Sequence, residues 1–238
     1  MKKYILGIKI DDVDIDQATK IVEGWLSKPG KHYIVTPNPE FIMMAQNDQG
    51  FKKILNDADL SIPDGIGLNL FGGIKNRITG VDLMEKLIAL SSEKAYTVGF
   101  LGGEKGVAKR LVERLKKQYP NLTVRYAIEG PVIPAKAGIY TNKDLWIPDL
   151  VRDDKVDILF VAFGQGKQEK WIASNLEKIP VKVAMGVGGT FDYLSGEVMR
   201  APKLIRDLGL EWLFRLIREP WRIKRQVALL KFIWLMLK

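Results

Sequence analysis

Residues 97–127 read TVGFLGGEKGVAKRLVERLKKQYPNLTVRYA, and this stretch predicts the fold of the chain. The apolar run Thr97–Leu101 is typical of a buried strand, and Leu122–Ala127 predicts a second strand. Between them, Gly102-Gly103 predicts a tight turn, and a helical pattern runs from about Lys105 to Tyr119. A strand, a helix and a second strand in this order form a unit whose two strands are parallel.

The same alternation of strand-like and helix-like segments extends to both sides of this stretch. Further strands are predicted at Tyr4–Ile10, Tyr33–Thr36, Leu60–Ile62, Asp157–Phe163 and Val181–Val187. Asp16 is the predicted cap of a helix that runs to about Leu26. Further helices are predicted over Phe41–Ala45, Phe51–Leu55 and Asp82–Ser91, and through Trp171. The fold class is therefore α/β, a doubly wound, largely parallel, Rossmann-like sheet. In such sheets ligands bind beyond the carboxyl ends of the strands, so the loops that follow strands form the candidate site.

After Gly196 the strand-like runs stop, and the remaining sequence predicts two or three helices. We therefore divide the chain into an α/β core, residues 1–199, and a helical C-terminal appendage, residues 200–238. The net charge follows this division. Of the formal charge of +9, the appendage carries +7, from ten basic and three acidic residues, and the core is nearly neutral.

The composition narrows the chemistry that the chain can perform. Its 238 residues include no cysteine and one histidine. This excludes disulfides, thiol catalysis and Cys-based zinc sites, and it disfavours multi-histidine metal sites. The first ten residues, MKKYILGIKI, contain only a short apolar run and are not typical of a signal peptide. The sequence predicts a cytoplasmic protein.

Four arginines of the appendage, Arg215, Arg218, Arg222 and Arg225, are spaced three, four and three residues apart. This spacing predicts one face of a helix, provided that the helix continues or restarts at Glu219-Pro220. Because Arg binds phosphate oxygens in pairs, the face is a candidate diphosphate site. A solvated basic face is the alternative.

The chain ends in an apolar run, Val227–Leu237, that is interrupted only by Lys231. It has about half of the ~20 residues needed to span a bilayer. It therefore predicts a helix that either lies in the membrane interface or packs on the core. An anionic membrane surface is the favoured partner of this basic segment. The net charge also allows nucleic acid as a partner, but the tryptophan-rich ending argues against it.

Candidate site residues follow several of the predicted strands. Gly102-Gly103 and Gly188-Gly189 permit the backbone to approach a phosphate, although tight turns explain these pairs equally well. Asp64, in a Pro-Asp-Gly sequence, is a candidate general base or, alternatively, a turn or helix-capping residue. Asp12 with Asp14, and Asp14 with Asp16, have the D-x-D spacing of a metal site, but capping and a solvated turn are the better interpretation.

The loop motifs occur in a specific order along the chain. They are TPNPEF at 36–41, LSIPDGIGL at 60–68, RITGVDLME at 77–85, VGFLGGEKGVA at 98–108, LFVAFGQGKQEKWI at 159–172, GVGGTFDYLSG at 186–196 and RAPKLIRDLGLEWLFRLIREPWR at 200–222. In these motifs and their order the chain resembles the WecG/TagA/CpsF family of glycosyltransferases over nearly its whole length. Within that family it most resembles the TagA type.

This resemblance implies an enzyme that moves N-acetylmannosamine from UDP-N-acetylmannosamine to N-acetylglucosamine on undecaprenyl diphosphate. It further implies inversion to a β-1,4 linkage, no metal or other cofactor, and a place in wall teichoic acid synthesis. The implied partners are the UDP-sugar, the polyprenyl-diphosphate acceptor and the inner, anionic membrane surface, with no nucleic acid. The appendage is expected to cover the active site and engage the membrane. Whether the protein forms a homodimer in solution is left undecided by the sequence.

The resemblance and the residue types together assign roles to individual residues. The catalytic group is Asp64 as the base, with Thr36, Asn38, Gln168 and, for the leaving UDP, Arg215, Arg222 and Arg225. The substrate-binding group is Arg77, Gly102, Gly103, Glu169, Gly188, Gly189, Asp192 and Arg218. No residue is assigned to a metal.

One segment departs from the family's pattern. Residues 131–142, PVIPAKAGIYTN, stand where relatives usually have a short loop. A sugar or uridine contact from this segment, for which Tyr140 is the candidate, is therefore not implied by the family. The alternative function from another class is a nucleotide-regulated, non-enzymatic membrane adaptor. Such a protein would use the same glycine loops and basic segment but would need no base at Asp64.

Overall fold

The computed structural model describes residues 1–104, 106–130 and 147–237, except for the side chains of Arg222, Lys224, Arg225 and Gln226. The strands are β1 Lys2–Ile5, β2 Ile8–Asp11, β3 His32–Val35, β4 Leu60–Ser61, β5 Thr97–Gly102, β6 Thr123–Ile128, β7 Val156–Ala162 and β8 Val181–Gly186. The helices are α1 Ile15–Leu26, α2 Pro39–Asn47, α3 Gln49–Asp57, α4 Ile66–Gly72, α5 Gly80–Lys94, α6 Val107–Gln118, α7 Asp149–Asp153, α8 Lys167–Asn175, α9 Thr190–Ser195, α10 Lys203–Asp207, α11 Glu211–Arg218 and α12 Ile223–Met236.

Six of the strands form one sheet in the order β4-β3-β8-β7-β5-β6, and every neighbouring pair is parallel. The two strands of the stretch at residues 97–127 are β5 and β6, which pair in parallel as predicted. The chain winds towards one edge through β3 and β4 and towards the other through β5 and β6. The predicted α/β, doubly wound, Rossmann-like class is confirmed.

The sheet is buried on both faces, as is usual for parallel sheets. Ile158 and Phe160 of β7 pack into the layer that contains α1, α5 and α6. Leu159 and Val161 pack into the layer that contains α8. Successive side chains of a strand point to opposite faces. Since helices cover both faces of the sheet, all four side chains are fully buried. This explains why β7 is a continuous apolar run in the sequence.

The first strand of the sequence prediction is wrong. The sequence predicts one strand over Tyr4–Ile10, whereas the structure has an antiparallel hairpin of β1 and β2. Leu6 and Gly7 form the turn with φ angles of 47° and 78°, the left-handed conformation typical of two-residue hairpin turns. Because apolar residues flank the turn on both sides, the periodicity does not reveal it.

Two of the aspartates with D-x-D spacing, Asp12 and Asp14, have structural roles. Asp14, in place of the predicted Asp16, caps α1: its carboxylate accepts the N–H of Gln17 at 2.8 Å, and the Gln17 side chain accepts the Asp14 N–H. Asp12 is buried and accepts the backbone N–H of Lys75. The spacing therefore reflects capping and loop anchoring, as favoured from the sequence, although Asp12 is buried and not solvated.

Three short helices, α4, α7 and α9, are missing from the sequence prediction. They have five to seven residues each, which is too few to display a helical period. α4 begins two residues after Asp64, and α9 begins directly after Gly188-Gly189. Both candidate loops are therefore shorter and more constrained than the sequence indicates.

The described part of the appendage contains three helices, in agreement with the predicted two or three. α11 ends at Arg218, a 3-10 turn spans Pro220–Arg222, and α12 begins at Ile223. The break falls here because proline cannot donate a helical hydrogen bond but fits the first turn of a new helix. The four arginines consequently lie on two helices and the turn between them.

One face of α12 packs on the core. Phe232 is fully buried in a cluster with Phe41 of α2 and Leu68 of α4. The opposite face leaves Leu230 and Trp234 exposed. Within the ranges that the structure describes, no helix is long and apolar enough to cross a bilayer. The apolar run thus has one face packed on the core and another that remains uncovered.

Phe232→Ala is expected to lower the free energy of unfolding by about 3–5 kcal/mol, the usual cost of truncating a buried phenylalanine. Denaturation in urea measures this change. Leu230→Ala, on the exposed face of the same helix, is the matched control and is expected to change stability by less than about 0.5 kcal/mol. Equal effects of the two substitutions would contradict the packing of α12 on the core.

Candidate active site

A cavity of about 920 Å³ opens at the carboxyl-terminal edge of the sheet. This is the edge at which ligands bind in doubly wound folds, and the volume is typical of small-molecule sites. The loops that follow β3, β4, β5, β7 and β8 form one side of the cavity. The appendage forms the other side through Arg206 of α10, Glu211, Trp212 and Arg215 of α11, and Leu229 of α12.

Most of the predicted site residues meet at this cavity. Those that line it are Thr36, Asn38, Asp64, Arg77, Gly103, Gln168, Gly188, Gly189, Asp192 and Arg215. Gly102, Glu169 and Arg218 are described but are not among its lining residues. The side chains of Arg222 and Arg225, and Tyr140 with its segment 131–142, lie outside the described part of the chain.

Asp64 connects two loops at the bottom of the cavity. Its backbone N–H donates to the carbonyl of Pro37 at 2.9 Å, which ties the loop after β4 to the loop after β3. Its carboxylate accepts a hydrogen bond from the backbone N–H of Gly80, the first residue of α5. The backbone of Asp64 is therefore tied to the loop after β3 and its carboxylate to the start of α5, and the residue lines the cavity.

The electrostatic surroundings of Asp64 raise the pKa of its carboxyl to about 7. Burial is the largest cause, because it disfavours the charged form. The carboxylates of Glu211 and Asp82 raise the pKa further, whereas the Gly80 N–H and the Arg200 guanidinium lower it. A carboxylate with a pKa near 7 can accept a proton at neutral pH, as a general base must.

Thr36 and Asn38 lie on the loop after β3, on either side of Pro37, whose carbonyl accepts the N–H of Asp64. Thr36 is buried against the start of α5, where an ideal Cβ at Gly80 would lie 3.7 Å from its Oγ1. Asn38 caps α2, since its Oδ1 accepts the N–H of Phe41 at 3.0 Å. The capping role uses the side-chain oxygen of Asn38, so its amide nitrogen is the group that it can offer to a ligand.

Gln168 and Glu169 form a buried pair that holds the glycine loop after β8. Gln168 accepts the N–H of Gly188 at 3.0 Å through Oε1 and donates from Nε2 to Glu169 at 2.7 Å. The other carboxylate oxygen of Glu169 accepts the N–H of Gly166 at 2.7 Å. Burial raises the pKa of Glu169 to about 7. Both ends of the Gln168 amide are thus engaged within the protein.

At two positions neighbouring atoms lie so close to the backbone that only glycine fits. An ideal Cβ at Gly186 would lie 2.7 Å from the carboxylate of Glu169, so a side chain there would displace the buried pair. Gly102 has a φ of 114°, and its ideal Cβ would lie 2.5 Å from the carbonyl oxygen of Ala162 on the neighbouring strand. Gly102 therefore serves the packing of β5 against β7, and its neighbour Gly103 faces the cavity.

Arg215 brings a guanidinium from α11 to the glycine loop. Its Nε donates to Glu219 at 2.7 Å, and its guanidinium carbon lies 4.9 Å from the centre of the Tyr193 ring. An ideal Cβ at Gly189 would lie 3.0 Å from its Nη2. The ion pair and the aromatic ring orient this guanidinium at the cavity.

Unlike Arg215, Arg218 does not line the cavity. Arg218 is exposed and lies 5.4 Å from the centre of the Phe214 ring. Arg77 does line the cavity, and its Nη2 donates to the carbonyl of Arg206 at 2.5 Å. Arg77 therefore ties the loop before α5 to α10. Asp192 of α9 lines the cavity beside the glycine loop, where an ideal Cβ at Gly189 would lie 3.4 Å from its Oδ2.

Sequence reasoning missed several residues of the cavity. Glu211 and Trp212 belong to the GLEW block, and Thr79 and Gly80 belong to the RITG block. Both blocks were available as motifs, but a role for their individual residues depends on contacts between distant segments. Among the described residues, no three histidine, aspartate or glutamate side chains are grouped so that they could hold a metal ion.

A comparison with protein families places the whole chain. A model described as the glycosyl transferase WecG/TagA/CpsF family matches residues 3–238. The chain belongs to this family. It is therefore a glycosyltransferase, which excludes the non-enzymatic adaptor considered from the sequence.

Curated members of the WecG/TagA/CpsF family are similar over most of their length. A protein from Bacillus subtilis (strain 168) is 32% identical over 221 residues, which cover 87% of this chain and 83% of the relative. One from Bacillus spizizenii is 33% identical over 211 residues, with 87% and 79% coverage. One from Staphylococcus aureus (strain MRSA252) is 27% identical over 240 residues, with 98% and 91% coverage. All three are named N-acetylglucosaminyldiphosphoundecaprenol N-acetyl-beta-D-mannosaminyltransferase.

Proposed function

We propose that this glycosyltransferase moves N-acetylmannosamine from UDP-N-acetylmannosamine to N-acetylglucosamine carried on undecaprenyl diphosphate, with inversion to a β-1,4 linkage. The observation that carries the proposal is Asp64, a carboxylate with a pKa of about 7 in a cavity that Arg215 also lines. The names of the Bacillus and Staphylococcus relatives support this sugar and this acceptor. The resemblance to the TagA type supports a role in wall teichoic acid synthesis.

In the proposed reaction, Asp64 takes the proton of the acceptor hydroxyl while that oxygen attacks the anomeric carbon of the donor. The bond from the anomeric carbon to the UDP oxygen breaks, and its electron pair leaves with UDP. A single displacement inverts the anomeric centre. The hydroxyl is a weak nucleophile, so a base whose pKa lies near the working pH contributes most to the rate.

Arg215 is proposed to stabilise the negative charge that develops on the departing diphosphate. Its guanidinium can donate two parallel hydrogen bonds to phosphate oxygens, and Glu219 and Tyr193 hold it in place before substrate arrives. Arg222 and Arg225 remain proposed partners in this role, on the basis of their spacing in the sequence. We propose that these arginines replace a divalent metal, so that the reaction needs no cofactor.

The remaining groups are proposed to orient the substrates. Thr36 and the amide nitrogen of Asn38 lie beside Asp64 and would contact the sugar being transferred. Gly103, Gly188 and Gly189 line the cavity without side chains, which allows a nucleotide diphosphate to approach the backbone. Gln168 would orient the glycine loop through its hydrogen bond to the Gly188 N–H. Glu169 would in turn hold Gln168 in place.

The appendage is proposed to place the enzyme on the inner face of the cytoplasmic membrane. It carries +7 of the net charge of +9 of the chain. Its exposed apolar side chains are Leu204, Leu208, Leu210, Trp212, Leu213, Ile217, Trp221, Ile223, Val227, Leu230, Trp234 and Leu237. Apolar and basic residues on neighbouring helices match an anionic interface. Away from the membrane, a homodimer that covers these side chains remains a proposal, which sedimentation of the full chain tests.

The test is release of UDP by the full chain with a short-chain lipid-diphosphate acceptor that bears N-acetylglucosamine. UDP-N-acetylmannosamine is expected to react at least about tenfold faster than UDP-N-acetylglucosamine, UDP-glucose or UDP-N-acetylmannosaminuronic acid. The rate is expected to be unchanged in a chelator of divalent metals. Equal rates with another donor would contradict the proposed sugar, and a loss of rate in the chelator would contradict metal independence.

A further inference from the structure

Arg200 joins three parts of the molecule next to the cavity. Its side chain is 15% exposed and belongs to the segment between α9 and α10. Its Nη2 lies 2.7 Å from Asp82, its Nη1 lies 3.4 Å from Glu85, and its Nε lies 3.3 Å from Glu211. One guanidinium thus links α5 of the core to α11 of the appendage.

The same guanidinium also supports the backbone that holds Asp64. Arg200 Nη2 donates to Thr79 Oγ1 at 3.1 Å, and this oxygen caps α5 by accepting the N–H of Asp82 at 3.1 Å. The next residue, Gly80, donates its N–H to the carboxylate of Asp64. A shift at the start of α5 would therefore move the group that orients the carboxylate.

The charges around Asp64 are mixed, and Arg200 balances the negative ones. Asp82 of α5, Glu211 of α11 and Arg200 act on Asp64 directly, and Glu85 of α5 is paired with Arg200. The other charged side chains that line the cavity are Glu40, Arg77, Glu104, Lys167, Asp192, Arg206 and Arg215. Asp82 and Glu211 disfavour the ionised form of Asp64, and Arg200 favours it. Arg200 is in direct contact with both of these carboxylates, so its loss would leave their charge uncompensated.

We propose that Arg200 is a positioning residue for the base: it clamps the start of α5 to α11 and sets its cation against Asp82 and Glu211, two carboxylates next to Asp64. This inference rests on the proposed function, in which Asp64 accepts the acceptor proton. Arg200 itself is not among the residues that line the cavity. It acts through Thr79, Gly80 and the neighbouring carboxylates.

The experiment is the pH dependence of kcat/KM for Arg200→Gln, measured as UDP release by the full chain. The acidic limb is expected to move to higher pH by about one unit, because a nearby cation is lost and Asp64 binds its proton more tightly. Arg200→Lys retains the positive charge but lacks the planar guanidinium that contacts Asp82, Glu85 and Glu211 together. It is expected to keep the limb near that of the wild type and to lower kcat.

Glu211→Gln provides a change of opposite sign. It removes a negative charge near Asp64 and is expected to move the acidic limb to lower pH. Arg152→Gln is the matched control, because Arg152 forms exposed ion pairs on α7 and is expected to leave the profile unchanged. Damage to the fold would lower the rate at every pH and would not produce two shifts of opposite sign.

The results also separate this inference from the function on which it rests. If Arg200→Gln or Glu211→Gln leaves the acidic limb in place, the positioning role of Arg200 is overturned, even when Asp64→Asn is inactive. If Asp64→Asn stays active, the assignment of the base is overturned. If Arg200→Gln fails to fold, the Arg200→Lys and Glu211→Gln profiles decide the matter.

Discussion

Asp64→Asn is expected to reduce kcat for sugar transfer by about 10²–10⁴-fold, the usual contribution of a general base. The amide has nearly the shape of the carboxylate and can still meet the Gly80 N–H with its oxygen, but it cannot accept the acceptor proton. UDP release at saturating donor and acceptor measures the loss. Binding of UDP, measured by calorimetry, is expected to be little changed, because the base acts on the acceptor.

The pH profile adds a second signature for Asp64. Since burial raises its pKa to about 7, wild-type kcat/KM is expected to fall as the pH drops below 7 and the carboxylate becomes protonated. The residual activity of Asp64→Asn is expected to lack this limb. Asp57→Asn is the matched control: Asp57 is exposed, pairs with Lys53 on α3, and its loss is expected to leave the profile intact. Turnover near the wild-type value in a folded Asp64→Asn protein would exclude Asp64 as the base.

Arg215→Ala is expected to lower kcat by about 10²–10³-fold, the range seen when one preorganised donor to developing charge is removed. Arg215→Lys retains the charge but loses the planar fork, and its Nζ cannot reproduce the contacts to Glu219 and the Tyr193 ring together. An intermediate loss is therefore expected for the lysine variant. The measurement is kcat for UDP release, with KM for the donor determined in parallel.

Arg218→Ala tests whether the structure or the spacing of the arginines in the sequence better predicts which arginines act in catalysis. The spacing of the arginines treats Arg215 and Arg218 alike, whereas the structure places only Arg215 at the cavity. Arg218→Ala is therefore expected to cost less than about tenfold in kcat, far below Arg215→Ala. Equal losses for the two alanine variants would contradict the observed orientation of α11.

The fold was predictable because its signals are local. β7 is buried on both faces, so its apolar run is continuous, and the glycine pairs follow strands where a tight turn must begin. The hairpin at Leu6-Gly7 was not predicted, because the pattern of apolar residues does not show that Leu6 adopts a positive φ. The short helices were not predicted because they contain too few residues to show a period.

The place of the active site was also predictable, because the carboxyl ends of parallel strands meet at one edge. Asp64, Thr36 and Gly188 follow different strands and still line one cavity. Their roles were less predictable. The sequence places Gln168 in the catalytic group, and only the structure shows that its amide is engaged by Gly188 and Glu169.

By itself the sequence determined the α/β class, the edge of the sheet that carries the site, and the concentration of positive charge in residues 200–238. These properties depend on period, composition and chain order, which are all local. Only the tertiary structure decided that Arg215 and not Arg218 reaches the cavity, that Phe232 packs on the core, and that Arg200 bridges α5 and α11. Each of these depends on side chains that are distant in sequence and become neighbours only when the chain is folded.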